Sequence, residues 1–475
     1  MSIQLAQQLT LSHRTAQPAA LWDDDLIRRY DLSGPRYTSY PTAVEFTDRF
    51  TARDTARAAA ASGKLGGPLS LYTHVPFCAR LCYYCACNKV VTRKREFASP
   101  YVERLLKEAQ MHADLYGSDR LVKQLHWGGG TPTFLPKEDM SRLMEGYRQI
   151  FNLDGSGDRD FSIEIDPREL TGDTLLHLHL LGFNRISLGV QDFNPQVQKA
   201  VNRIQPKRMV QDVLDEARAL GFRSINMDLI YGLPYQTPAT FAETLDEVIA
   251  LRPDRLSVFS YAHLPERFYP QTRIKDETLP SPADKLTILH QTIDRLLDAG
   301  YQYIGMDHFA LPDDPLAIAQ QEGRLHRNFQ GYTTHGDCDL VALGVSAIGQ
   351  TRDAYFQNSH DLATWEKHID AGELATIRGV ELSEDDQIRR WVIGQLICQF
   401  QLDYDAFEAH WNRPFGLYFA EELHRLRRMV VDGLIREDED GLAVEPAGRL
   451  LIRAICQVFD AYRTGGAGSR FSRII

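Results

Sequence analysis

From residue 69 onward, short apolar runs alternate with longer amphipathic stretches, and the cycle repeats six times. The strand candidates are LSLYTHV (69–75), QLHWG (124–128), FSIEID (161–166), RISLGVQ (185–191), INMDLIYG (225–232) and RLSVFSY (255–261), with helical stretches between them. Successive βα units of this kind predict an α/β fold built on a parallel sheet. His74, Gly128–Gly130, Asp166, Gln191, Asp228 and His263 gather at the C-terminal ends of these strands, the active-site face of a β/α barrel. Six units in place of eight predict a barrel left open, wide enough to admit a large flat substrate.

The flanks differ in character. Residues 1–66 read as an N-terminal arm: a short helix near Leu21–Tyr30, the segment SGPRYTSYPTAVEF (33–46), and an Ala-rich helix ending at Gly66-Gly67-Pro68, with no sheet period. The barrel is expected over 67–350 and a mostly helical cap over 351–475. The cap shows helices near 383–400 and 416–432, a hairpin at 434–446 and a helix over about 447–462, an order that resembles a winged helix. Its turn carries Glu437, Asp438, Glu439 and Asp440, which a phosphate backbone would repel, so a structural lid is the expectation and DNA binding is not.

With 475 residues and 43% hydrophobic content, the chain can bury a large core. A net charge of −11 gives no general attraction to nucleic acid or anionic lipid, so an anionic substrate needs a locally basic pocket. No apolar run approaches bilayer length, and the start MSIQLAQQLTLSHRTAQ lacks a basic segment followed by an apolar one. The expectation is a cytoplasmic protein without membrane or nucleic-acid partners.

Four of the seven cysteines fall between residues 78 and 87. Cys78-x3-Cys82-x2-Cys85 follows the first strand directly, so three thiolates can reach one small object. Structural zinc normally takes four ligands in two separated pairs, and no second pair is present at the usual spacing. An iron–sulfur cluster held by three thiolates keeps one iron open. The spacing after a first barrel strand, with Tyr84 before the third cysteine, resembles the radical S-adenosylmethionine (SAM) superfamily. That resemblance implies a [4Fe–4S] cluster on Cys78, Cys82 and Cys85. Its open iron would be chelated by the amino and carboxylate groups of S-adenosylmethionine, which electron transfer cleaves to a 5′-deoxyadenosyl radical. Gly128-Gly129-Gly130-Thr131-Pro132 closes the second strand, where missing side chains would let backbone approach the cofactor.

Longer segments narrow the resemblance. SGPRYTSYPTA (33–43), SLYTHVPFCARLCYYCACNK (70–89), LHWGGGTPTF (125–134), SIEIDPREL (162–170), FNRISLGVQDFN (183–194), MDLIYGLP (227–234), DRLSVFSYAHLP (254–265), GMDHFA (305–310) and LHRNFQGYTT (325–334) are similar to the oxygen-independent coproporphyrinogen III oxidase family. The resemblance implies oxidative decarboxylation of two propionates of coproporphyrinogen III to vinyl groups, giving protoporphyrinogen IX in haem biosynthesis. Abstracting an unactivated hydrogen calls for a radical cofactor, which the protein positions. The resemblance also implies two S-adenosylmethionine molecules, one at Tyr72, Gly129, Glu164 and Ile348, the other at Tyr84, Gly130, Thr131, Gln191, Arg203, Asp228 and Ala262. Position 84 is phenylalanine and position 86 glycine in the family's pattern; this chain has Tyr84 and Ala86.

Cys87 is open to three readings: a fourth ligand that would close the iron, a packed thiol, or the non-ligand functional position that the resemblance implies. Arg36 is the first candidate for a substrate carboxylate, as against an exposed loop arginine, with Lys89 and Arg327 weaker. His74 either orders the site or relays protons. An electron donor for the cluster and a final electron acceptor are required partners, and a monomer is expected. The main rival is a haem-binding chaperone of the same superfamily, whose relatives have an aromatic at the position of Cys87 and lack the arm. A tetrapyrrole radical methyltransferase and a structural metal protein are further alternatives. Replacing Cys82 with serine is expected to abolish the broad visible absorbance of the reconstituted protein, and unchanged iron content would count against the three-cysteine reading.

Overall fold

The computed structural model describes residues 21–463. The six expected strands are β1 (Leu69–Val75), β2 (Leu121–Gly129), β3 (Asp160–Ile165), β4 (Arg185–Gln191), β5 (Ser224–Tyr231) and β6 (Arg255–Ser260). Each pairs in parallel with the next. After β6 come β7 (Gln302–Gly305) and β8 (His308–Ala310), a small hairpin of His326–Asn328 with Gly331–Thr333, and then β9 (Asp339–Leu343), β10 (Ile348–Gln350), β11 (Ala354–Asn358) and β12 (Thr376–Glu381). The sheet runs β7-β8-β6-β5-β4-β3-β2-β1-β9-β10-β11-β12. Strand β9 is a further parallel strand beside β1, and the two flanks are antiparallel. The parallel array therefore ends at β6 and β9 and stays open, as the unit count predicts.

Buried parallel strands usually read as continuous apolar runs. Here β3 and β5 alternate: Phe161, Ile163 and Ile165, and Ile225, Met227 and Leu229, are buried, while Ser162, Glu164, Asn226 and Asp228 between them are less so. The buried set packs into the main core with helix residues such as Leu143, Leu178 and Val210. Each such aliphatic side chain contributes roughly 1.5–3 kcal/mol by leaving water. The other face lines a polar cavity of about 290 Å³ that includes His126, Glu164, Ser187, Asp228, Ser257 and His308. The period of two thus reports a hollow barrel, filled with polar groups on the inside.

The expected boundary at residue 350 falls between hydrogen-bonded strands, since Ile348 of β10 pairs with Gln357 of β11. The sheet continues to Glu381, because its edge strand β9 still has backbone groups to satisfy. Beyond it, helices Glu384–Gln399 and Ala420–Val431 lie where expected. Strand Gln401–Asp403 and helix Tyr404–Trp411 were not foreseen; the strand joins Gly441–Val444 and Ile435–Glu437 in a three-stranded sheet. The final helix is broken into Pro446–Arg449 and Ile452–Val458.

The arm contributes helices Asp24–Tyr30 and Ala52–Leu65, and one antiparallel bridge, Thr47 to Gly379, attaches it to β12. Its SGPRY segment is strapped to the C-terminal region. Arg453 Nε donates to Pro35 O at 2.9 Å, Gln457 Nε2 to Ser33 O at 2.8 Å, and Tyr37 OH to Asp460 at 2.9 Å.

Glu108, on helix Ala98–Tyr116, ties the barrel to its extension. Its carboxylate accepts from Gly344 N at 2.6 Å, Asn358 Nδ2 at 2.7 Å and Trp365 Nε1 at 3.2 Å. Removing it strands three buried donors, so Glu108→Ala is expected to cost about 3 kcal/mol or more of stability. An unchanged urea midpoint would show that this junction contributes nothing.

Candidate active site

The cysteine loop leaves the barrel at the end of β1 through a pinned neck. Phe77–Cys78 pairs with Val90–Val91, and Val90 N donates to Pro76 O at 2.8 Å. On the other side Gly130 N donates to Val75 O at 2.8 Å and Thr131 N to Phe77 O at 2.9 Å. A Cβ at position 130 would stand 2.6 Å from Pro76 O, so only glycine permits this approach.

The donor set suits a cluster with three protein ligands. Cys78 and Cys82 are buried. Thr131 Oγ1 donates to Cys78 Sγ at 3.5 Å, while Arg168 Nη2 and Arg203 Nη1 donate to Cys82 Sγ at 3.3 and 3.5 Å. Asp166 bridges the two guanidiniums at 2.6 and 3.2 Å; burial pushes its carboxyl up, but Arg203 and Arg168 outweigh that and hold it at about 2. Cys85 is lowered to about 6, chiefly because the Cys87 thiol donates to it, with Lys89 assisting against burial. Cys87 is solvent-accessible and carries the complementary upward shift. Lys89 Nζ donates to Cys85 O at 3.0 Å, inside the loop, so it braces the loop.

Beside the loop, Tyr72 OH donates to His74 Nδ1 at 3.1 Å, and His74 Nε2 donates to Asn88 O at 3.0 Å. Both nitrogens of His74 are engaged and burial lowers its pKa, so it is a neutral ring that orients Tyr72, with its one N–H given to Asn88 O. Tyr72 stacks on His126 with centroids 5.8 Å apart. His126 accepts from Ser162 at 2.6 Å and faces Glu164 at 3.4 Å; Glu164 accepts the Gly129 N–H at 3.0 Å. Burial raises the Glu164 carboxyl, but His126 and that N–H outweigh it and leave it below its ordinary value. The register of β9 with β10 sets Ile348 opposite Ala342, which pairs with Tyr72, so both belong to one row of the sheet.

Of the second group, Gln191 ends β4, Asp228 lies within β5 facing the cavity and Ala262 follows β6, while Tyr84 is on the cysteine loop and Gly130 and Thr131 follow β2. Gln191 has φ 69°, a left-handed conformation sparsely populated outside glycine, and its buried Oε1 has no protein partner. Arg203 also donates to Gly189 O at 3.2 Å. Asp228 receives Ser187 at 3.1 Å and Asn226 at 2.8 Å, yet burial, with the charge of Glu164, raises its carboxyl to about 6. Tyr84 packs against Val197, Val201, Leu233, Tyr261 and Ile274. The backbone carbonyls of Tyr84 and Ala262 are joined by Gln271 Nε2 at 3.0 and 3.3 Å.

Arg36 reaches the open edge of the barrel beside β6, where it is ion-paired with Asp307 instead of standing free. Burial lowers its pKa to about 10, with Arg327 and Arg453 adding repulsion. Arg327, on the small hairpin, lies over Tyr332 at 4.7 Å and has buried Nε and Nη1 without a protein acceptor. Arg168, His126, Asn88 and Gln271 were missed at the sequence level. Arg168 carried a readable signal, two residues after the acidic end of β3; Gln271 lies in a loop segment with no pattern of its own.

These features define a radical SAM barrel. A profile of the Radical SAM superfamily matches residues 72–248, and one of the HemN C-terminal domain matches residues 382–451, just past β12. The oxygen-independent coproporphyrinogen III oxidase of Pseudomonas aeruginosa is 55% identical over 454 residues, 96% of this chain and 99% of that protein. That of Escherichia coli is 53% identical over 455 residues, 96% and 98%. The structure of coproporphyrinogen III oxidase from Escherichia coli, described as a radical SAM enzyme, superposes with TM-score 0.88 at 52% identity, covering 93% of this chain and 99% of that one. The chain belongs to the oxygen-independent coproporphyrinogen III oxidase family. These relatives favour the oxidase over the haem-binding chaperone. Among the described residues no helix is long and apolar enough to cross a membrane.

Asp228 yields a test of the cavity's electrostatics. Its folded pKa lies above the ordinary 3.8, so ionisation at neutral pH destabilises the fold, and stability is regained as pH falls through about 6. Asp228→Asn is expected to stabilise the protein at pH 8 by up to roughly 3 kcal/mol and by little at pH 4.5. An equal effect at both pH values in urea unfolding would mean that Asp228 ionises freely.

Proposed function

We propose that this chain decarboxylates two propionate side chains of coproporphyrinogen III to vinyl groups without oxygen, each propionate losing a hydrogen, carbon dioxide and one electron. The carrying observation is the three-cysteine loop, its Cys82 faced by Arg168 and Arg203, at the mouth of an open polar barrel. Bound [4Fe–4S] cluster and S-adenosylmethionine supply the radical that takes hydrogen from an unactivated carbon. Cys78, Cys82 and Cys85 hold the cluster, and Cys87 serves as a nearby thiol, not a ligand.

Two S-adenosylmethionine molecules fit the two groups of residues. Tyr72, Gly129, Glu164 and Ile348 take the first, with His74 and Asn88 fixing the tyrosine ring. Tyr84, Gly130, Thr131, Gln191, Arg203, Asp228 and Ala262 take the second, and the unanswered Gln191 Oε1 is an acceptor for a cofactor donor. Arg36 and Arg327 meet the substrate's propionates at the open edge. A carboxylate there satisfies the orphaned Arg327 N–H groups and relieves the repulsion between the guanidiniums. The cluster's electron comes from an external donor and the substrate's electrons leave to an external acceptor; the working form is a monomer in the cytoplasm.

The test is an anaerobic assay of the reconstituted protein with a strong reductant, S-adenosylmethionine and coproporphyrinogen III, read by mass analysis. Loss of two carbon dioxide units with formation of 5′-deoxyadenosine is expected. Cofactor cleavage with an unchanged tetrapyrrole would move the assignment to another substrate. Arg36→Ala is expected to raise the KM for the tetrapyrrole about tenfold, equivalent to ~1.4 kcal/mol, while leaving cofactor cleavage intact. Equal loss of both would make Arg36 structural.

A further inference from the structure

On the face of the barrel opposite the cysteine loop, we infer a second metal site, formed by His335, Asp337 and Cys338 and suited to one divalent transition ion of borderline softness, zinc above all. An imidazole nitrogen, a carboxylate oxygen and Cys338 Sγ lie within 4.8 Å of one another there. Zinc takes this ligand mixture at about 2.0–2.3 Å, and small side-chain rotations close the donors onto one ion. The location is separate from the reaction centre: Asp339, just past the loop, opens β9 and pairs with Leu69, the first residue of β1, whereas the cysteine loop follows its last residue, Val75. At about 3.3 Å per residue the strand sets the two loops on the order of 20 Å apart.

Three features favour an ion. A Cβ at position 336 would collide with the His326 imidazole, so Gly336 lets that ring lie against the loop beside the three donors, and water is left to complete the coordination. The Cys338 thiol's hydrogen bond to Asp337 is long, 3.9 Å, and is readily given up. Asp339 is not available to compete for the ion, being paired with Arg120 at 2.7 Å. Against an ion stands Lys123, whose Nζ is 3.5 Å from Asp337. Once an ion has displaced the Cys338 proton, thiolate and carboxylate together balance a divalent charge; burial, which pushes that thiol up to about 12, and Lys123 both lower the affinity without filling the site.

The site has a mechanical consequence. His326 begins the hairpin that carries Arg327 and Tyr332, and His335 N donates to Thr333 Oγ1 at 3.0 Å at the hairpin's other end. An ion held by the His335–Cys338 loop would fasten that end of the hairpin to β9.

The experiment is calorimetric titration of zinc chloride into the full-length, cluster-loaded protein, with iron content measured alongside. One zinc per chain is expected. Cys338→Ser and His335→Ala should each weaken binding at least about tenfold at unchanged iron content and thermal midpoint. Lys123→Ala should tighten it several-fold, a gain that misfolding cannot imitate. Zinc binding unchanged in both ligand variants, no binding at micromolar zinc, or no gain in Lys123→Ala would each overturn the assignment.

Discussion

The close approach of Gly130 to the end of β1 is the contact on which the reaction centre depends. It lets two backbone hydrogen bonds, Gly130 N to Val75 O and Thr131 N to Phe77 O, join the glycine segment to the neck of the cysteine loop. Thr131 then stands over Cys78 Sγ, and Glu164 receives Gly129 N–H. A side chain at position 130 would prise the neck from β2 and displace a thiol and a carboxylate together. The loop's position is therefore set by two adjacent parallel strands, β1 and β2.

Around that contact the buried charges are paired with one another, while burial still pushes the Cys78 thiol up to about 12. The whole chain is acidic, at −11, yet Cys82 faces two guanidiniums whose surplus charge is trimmed by Asp166. An unpaired buried charge is expensive, and each group here answers another. Asp228 is held high by burial despite its bonds from Ser187 and Asn226, and Gln191 Oε1 has no protein partner.

The arm and the C-terminal region act as one unit. Arg453 and Gln457 hold the backbone of residues 33–35, and Tyr37 reaches Asp460, so Arg36 projects from a segment fixed at both sides. The basic edge over the open barrel is thus built from three distant parts of the chain, and the winged-helix-like domain serves to hold it.

The sequence by itself determined the order and kind of the six βα units, the open barrel, the cysteine loop and the polar ends of the strands. These are written in local periodicity and in short spacings, which neighbouring residues impose through the backbone. Strand β9 beside β1, the sheet's continuation past residue 350 and the split final helix were decided by packing. So were the roles of particular side chains: His74 became a neutral brace because Tyr72 and Asn88 flank it, Lys89 turned inward to loop carbonyls, and Arg36 met Asp307. Arg168 and Cys82 lie 86 residues apart, and Arg453 and Pro35 lie 418 apart. No local pattern encodes such pairs; they exist because folding brings donors and acceptors together and a buried charge must find a partner.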